Sequence, residues 1–227
     1  MNAVRCFLLS SLKYGDYDAI LHCYSAENGY QSYFVKNIHT PRSKKKAYLF
    51  PMNELEISVS PSKAGKMPTV SGIELLKSGY DIQNQYANTI LMFASDFLNQ
   101  VLREENGNPK LYSLLAEFRE NIMKTDMNAH LKLVFSILRW NGFLPLVSSG
   151  EFLNPETGEF GTQKYHEIFD ERISGVWKFF LNNQKDNAEL KRADRSRFLD
   201  SLLMYYKIHF SGFKIPESYG ILKQVYE

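Results

Sequence analysis

Asn53-Glu54-Leu55-Glu56-Ile57-Ser58-Val59-Ser60 alternates without a break, with Leu55, Ile57 and Val59 on one side and Glu54, Glu56 and Ser58 on the other. A period of two sends successive side chains to opposite faces of an extended chain, so this stretch is a half-buried strand. Four more strands flank it. Toward the N-terminus, Val4–Ser10 is apolar and bounded by the turn signal Lys13-Tyr14-Gly15-Asp16. Tyr17–Ser25 follows and ends at Ala26-Glu27-Asn28-Gly29, where Asn-Gly supplies the positive φ a hairpin needs. Tyr30–Ile38 is aromatic and β-branched. Beyond the alternating stretch, Pro61–Lys66 reads as a turn and Pro68–Leu76 as a fifth strand. Five short strands, with one long connection between the third and fourth, suit a small closed barrel, and the OB-fold is the commonest such barrel that binds oligonucleotides.

The period changes after Gly79. Tyr86, Ile90, Phe93, Phe97 and Val101 recur every three or four residues, the mark of an amphipathic helix over 83–103. Asn106-Gly107-Asn108-Pro109 stops it and opens a second through Leu111, Leu114, Leu115 and Phe118. A third covers 128–141 with Gly142 as its C-terminal cap, and others are expected at 174–181, 194–210 and 218–226. Between them, residues 145–164 are rich in Gly, Pro and Ser and read as an irregular excursion, a small hairpin turning at Glu156–Glu159. The expected fold class is therefore α+β in two domains. An N-terminal OB-fold barrel, a nucleic-acid-binding domain, occupies 1–79, and an all-α helical domain with that short insertion occupies 80–227.

The connection between the third and fourth strands is the most strongly basic part of the chain. Lys36-Asn37-Ile38-His39-Thr40-Pro41-Arg42-Ser43-Lys44-Lys45-Lys46 holds five Lys or Arg and no acid, and aromatics flank it on both sides. Net charge is only +2, but residues 1–80 carry 10 Lys/Arg against 6 Asp/Glu while the remainder carries 17 against 19. The attractive field for a polyanion thus sits in the first third. Cations displace counterions from phosphates and flat rings accept unpaired bases. Lys36, Arg42, Lys44, Lys45 and Lys46 are the leading candidates for DNA contact, with His39, Arg5 and Lys13 behind them. Tyr24, Tyr30, Tyr33 and Phe34 are candidate stacking rings, although a small barrel also needs large side chains inside, and the pattern does not say which face is inside. The plain alternative for a Lys-rich run is a solvated loop.

Catalytic chemistry finds little support. Gly65-Lys66 lacks the rest of a phosphate-binding loop, and the five histidines are isolated from one another. Asp16/Asp18 and Glu54/Glu56 are paired carboxylates on a turn and on one strand face, where solvated charge explains them; a carboxylate-metal nuclease remains the minor alternative. Cys6 and Cys23 are too few for a disulfide framework or a four-ligand zinc site and read as small buried hydrophobes. No run approaches the length of a membrane span and nothing resembles a signal peptide, so a cytoplasmic protein is expected.

Taken in order, these segments resemble the RecO family of bacterial DNA repair proteins. The resemblance lies in Lys13-Tyr14-Gly15-Asp16-Tyr17-Asp18, in Tyr24–Gly29, in Val35-Lys36 followed by the basic run through Arg42-Ser43-Lys44, and in Leu49-Phe50-Pro51. It continues through Asn108-Pro109 to Leu115, Leu138 to Phe143, and Tyr206 to Phe213. Asn37 stands where the family often has Gly, and the four zinc-binding cysteines of many members are missing, so no zinc or other cofactor is expected and the excursion at 145–164 has to be held by ordinary packing. The resemblance implies a recombination mediator, cytoplasmic and nucleoid-associated. Such a protein binds single- and double-stranded DNA, anneals complementary strands, works with RecR, docks the C-terminal tail of the single-stranded DNA-binding protein, and helps RecA load without bond-making chemistry. For that acidic tail, Lys132, Arg139, Lys207 and Lys214, near Phe135 and Tyr206, are candidate rim residues of an apolar groove. An OB-fold RNA-binding or translation factor is the second reading.

Overall fold

The alternating stretch forms strand β4 (Glu54–Ser60) of a closed barrel. The computed structural model describes residues 2–60, 66–81, 83–182 and 190–226. The other barrel strands are β1 (Asn2–Tyr14), β2 (Asp18–Ser25), β3 (Gly29–Val35) and β5 (Thr69–Lys77), in the order β1-β2-β3-β5-β4. Strand β4 closes antiparallel onto β1 from Asn2↔Val59 to Phe7↔Glu54. The seam between β3 and β5 is parallel and only two pairs long, Phe34↔Thr69 and Val35↔Val70. Inside lie Cys6, Leu8, Leu21, Cys23, Leu55 and Ile57, each at most 1 % exposed. Both cysteines are free thiols in that core.

Two expectations need correction. The turn placed at Lys13–Asp16 lies further on, because the β1–β2 ladder continues through Leu12↔Ile20, Lys13↔Ala19 and Tyr14↔Asp18 before the chain reverses at Gly15, φ 58°. A register slip between Leu8 and Ser10 lets this long strand bend round the barrel. The second correction concerns Glu54 and Glu56, read above as a solvated pair. Glu56 is exposed, whereas Glu54 is 1 % exposed. Its carboxylate accepts from Arg5 Nε at 2.6 Å and Tyr112 Oη at 2.8 Å and lies 3.4 Å from Arg119. Alternation distinguishes the barrel's inside from its outside, but outside is not solvent where a helix lies over the strand.

That helical layer consists of α1 (Gln85–Val101) and α2 (Pro109–Met123). Asn84 and Asn108 cap them by accepting backbone N–H groups, and Pro109 begins α2 where a missing N–H costs nothing. Ser95 donates to the carbonyl of Leu9, Asn99 accepts from Tyr30 at 2.8 Å, and the rings of Phe7 and Tyr112 lie 4.8 Å apart. Between the helices, the turn at Glu105–Gly107 meets the β2–β3 turn backbone to backbone. Tyr30 N–H donates to the carbonyl of Glu105 at 3.0 Å and Tyr24 Oη to that of Asn106 at 3.0 Å. The compact unit containing the barrel thus runs from residue 1 to 125 and regains residues 216–222, which include the start of α6 (Ser218–Tyr226). Within it, the ring of Tyr219 sits 6.0 Å from that of Phe93.

The second unit holds residues 126–215 and 223–227, with α3 (Ala129–Trp140), α4 (Glu171–Asn182) and α5 (Arg192–His209). Helix α3 ends as its sequence promised: Gly142 adopts φ 76°, and the N–H groups of Gly142 and Phe143 return to Arg139 and Leu138 at 3.1 Å. Trp177, fully buried, donates to Ser201 Oγ at 2.9 Å amid Phe135, Phe169 and Phe198. The excursion is a hairpin of β6 (Phe152–Asn154) and β7 (Glu159–Gly161). Leu153 N–H donates to Ser174 Oγ, His209 Nε2–H to the carbonyl of Pro155, and the ammonium of Lys178 lies 5.0 Å from the centre of the Phe160 ring.

Candidate nucleic-acid interface

The basic run leaves β3 through Asn37, which takes the left-handed conformation (φ 57°) that Asn tolerates in place of Gly. Its N–H donates to Asp18 Oδ1 at 2.8 Å, and the N–H of His39 to the carbonyl of Tyr17 at 2.8 Å. The departure of the run is thereby tied to the β1–β2 turn. Its middle is not the open loop the composition suggests. Ser43 caps a short 3-10 helix, Lys44–Leu49, by accepting from Lys45 N–H at 3.3 Å. Ile38 is 2 % exposed in the barrel core, and Tyr48 and Leu49 pack against the same core.

Asn53 fastens the far end. It is fully buried, its Nδ2 donates to the carbonyl of Tyr48 at 3.0 Å and its Oδ1 accepts from Gly79 N–H at 2.7 Å. Nothing in the sequence marked it beyond its place at the start of a strand. An Asn53→Leu change strands the Gly79 amide and frees the 3-10 helix, and is expected to lower unfolding stability by about 1–3 kcal/mol. Chemical denaturation measures this, and a loss within experimental error would remove Asn53 as the anchor.

Lys36, Arg42, Lys44, Lys45 and Lys46 are all exposed, and among the described residues none pairs with an acid. Lys36 and Lys45 line one cavity of about 230 Å³ together with Ser43 and residues 70–73 of β5. Strand β5 was not among the expected site elements; only closure of the barrel brings it beside this run. Lys13 is exposed near the end of β1 and His39 is half-buried. Arg5 stands apart: its guanidinium is committed to Glu54, which raises its pKa, and it lines a different cavity of about 870 Å³ with Glu27 and Glu56.

The rings divide as well. Tyr24 is fully buried and Tyr33 3 % exposed, so neither offers a face to a base, and burial pushes the Tyr24 phenol up to about 12. Tyr30 and Phe34 are half-buried on the outer face. Near the arm, Tyr14 (57 % exposed) and Tyr17 (49 %) do reach solvent; the sequence had placed Tyr14 in a turn and Tyr17 at the start of the second strand.

The family model described as Recombination protein O N terminal matches residues 1–79, the stretch that holds the barrel and its basic arm. Over 98 % of both chains, the protein is 29 % identical to a DNA repair protein RecO of Flavobacterium johnsoniae and 26 % identical to one of Flavobacterium psychrophilum. A third, from Porphyromonas gingivalis, is 26 % identical over the same share. The barrel and its arm are thus similar to that N-terminal model, and the chain over nearly its whole length to these RecO proteins.

The helical candidates fall into two groups. Lys132 is paired with Asp126 at 2.9 Å, and the Arg139 guanidinium lies over the ring of Phe135 at 5.6 Å. Lys207 and Lys214 are exposed. The apolar groove expected beside them is not built from Phe135 and Tyr206, which are 3 % and 0 % exposed. Tyr206 instead donates to the carbonyl of Val134 at 3.1 Å, because both rings fill the core of the second unit. Among the described residues, no three of His, Cys, Asp and Glu gather as metal ligands, and no helix is long and apolar enough to cross a membrane.

Proposed function

We propose that this chain is a DNA-binding recombination mediator of DNA repair that acts without bond-making chemistry. The observation that carries the reading is the arm of residues 36–46: five exposed, acid-free cations, fastened at Asn37 and Asn53 to a barrel whose sequence matches the RecO N-terminal model. Cations already fixed in space meet phosphates without a large ordering cost. On this reading the protein holds single and double strands, promotes annealing of complementary strands, and assists RecA indirectly. RecR and the C-terminal tail of the single-stranded DNA-binding protein are its protein partners. Exposed Lys207 and Lys214 remain the best placed of the four helical cations to meet that acidic tail.

The test is annealing of complementary oligonucleotides coated with the cognate single-stranded DNA-binding protein, with and without its tail. Tail-dependent stimulation is expected; no stimulation in either arm refutes the mediator reading. Binding itself is tested by salt. With four or five phosphates neutralised, log affinity for single strands falls against log salt with a slope of about −3. Changing Lys44, Lys45 and Lys46 together to Ala is expected to flatten that slope by about two units. An unchanged slope would take the arm out of the interface, and equal affinity for RNA of the same sequence without annealing would favour the RNA-binding reading.

A further inference from the structure

Beside the arm, the outer face of β1–β3 carries an apolar surface made by Leu12, Tyr14, Ile20 and Phe34. Register places Leu12 opposite Ile20 and Ile20 opposite Phe34, so these three cross the sheet in one row. Tyr14, two residues beyond Leu12 on the same face, meets Phe34 edge-on with ring centres 5.7 Å apart. Leu12 is 59 % and Tyr14 57 % exposed, which is costly for a strand face unless something lies on it. Further along the same face the row ends in a polar pair, His22 sharing a hydrogen bond with Ser32 at 2.7 Å, and then in Tyr30, held by Asn99 of α1. The exposed part of the face is therefore the part next to the cations. Asp18, opposite Tyr14 in the ladder, is the residue that receives the N–H of Asn37.

Resting on the DNA-binding reading above, we infer that Tyr14, buttressed by Phe34 and flanked by Leu12, is a base-stacking platform that makes this interface prefer single strands to duplex. The occupant follows from the juxtaposition. Tyr14 is 57 % exposed beside Phe34, and exposed Lys13 next to it in β1 and exposed Lys36, beside the Asn37 that Asp18 holds, select a polyanion. A polyanion that also presents apolar flat groups is a nucleic acid with unpaired bases. In a duplex those bases are stacked on each other, so the platform gains nothing and only the phosphate contacts remain. The arm supplies salt-dependent affinity for either form, and the platform supplies the difference between them.

The experiment compares wild type, Tyr14→Ala, Tyr14→Phe and the triple Lys44/Lys45/Lys46→Ala variant. Each is titrated with an oligothymidylate, an abasic strand of the same length and a duplex, over a range of salt. Tyr14→Ala is expected to weaken oligothymidylate binding about thirtyfold, the middle of the range for one lost base–ring stack, with an unchanged salt slope and unchanged duplex affinity. Tyr14→Phe keeps the ring and the affinity. The wild type is expected to bind the abasic strand about as weakly as Tyr14→Ala does, and the variant to lose nothing further on it. Equal losses on single strand and duplex, or no loss on either, would overturn the platform. If wild type binds no strand, the DNA-binding reading fails instead; if the triple lysine variant keeps its salt slope, the arm is out of the interface and the platform argued from it is overturned too. The high exposure of Tyr14 leaves folding intact, which an unchanged thermal midpoint verifies.

Discussion

Glu54→Leu is expected to destabilise the barrel-containing unit by about 3–5 kcal/mol, because it leaves the Arg119 guanidinium, 4 % exposed, without its counter-charge. The acid joins a strand to a helix: Arg5 reaches it from β1, Tyr112 and Arg119 from α2, and Arg119 also lies over the ring of Phe7 at 5.7 Å. Arg5, half in solvent, contributes little of this. Changing Glu54 to Leu and Arg119 to Met together should cost much less than the sum of the single changes, since no uncompensated charge stays inside. Burial opposes ionisation of Glu54, but hydrogen bonds from Arg5 and Tyr112 and the charges of Arg119 and Arg5 outweigh it. Its carboxyl is left below the ordinary value of 4.5. A depressed carboxyl contributes stability that is fully present above that ordinary value and is lost as pH falls through the folded-state value. Wild type should therefore lose stability below about pH 4.5 more steeply than Glu54→Gln. Denaturant midpoints over pH 3 to 7 read both effects; parallel pH profiles for the two proteins would show that folding leaves the Glu54 carboxyl at its ordinary value.

The second large effect is expected at two glycines that face each other across sequence. A Cβ on Gly107 would lie 2.2 Å from the carbonyl oxygen of Glu27, and one on Gly29 would lie 2.2 Å from that of Glu105. The colliding atoms are backbone on both sides, so no side chain can rotate away. Gly29 also adopts φ 67°, a region that L-residues with a Cβ enter at a cost. Gly107→Ala is expected to cost about 2–3 kcal/mol, near the upper end for overpacking, and Gly29→Ala more than that. Because both act at one contact, the double variant should be less than additive. Thermal or denaturant unfolding of the four proteins completes the cycle; a Gly107→Ala protein as stable as wild type would mean that the two turns do not touch.

Barrel, helices and basic arm were legible because each is written in local pattern. The period of two at 54–60, the Asn-Gly turn at 28–29 and the acid-free run at 36–46 all act within a few residues of themselves. Asn37 even carried its backbone conformation in its identity. What stayed hidden depends on partners distant in sequence. Glu54 looks like any outward acid until α2 covers it. Gly107 reads as a helix stop, and only the β2–β3 turn lying against it shows why no Cβ fits there. Tyr14 was assigned to a turn because Gly15-Asp16 is one, and the ladder to β2 extends the strand to the ring's own position. In the helical unit, Phe135 and Tyr206 were expected at a groove, but an amphipathic stripe does not distinguish a core from a docking surface.

The return of residues 216–222 to the barrel-containing unit sets an order of events during synthesis. Translation delivers the barrel and its two covering helices early, yet the ring of Tyr219 and the wholly buried Leu222 emerge only after all of 126–215 has been made. Until then the ribosome carries a unit whose Phe93 lacks its Tyr219 neighbour, exposed to chaperones and proteases for the time needed to make the intervening residues. The unit that holds the cationic arm is thus completed only after 126–215 has been made, although most of it is made first.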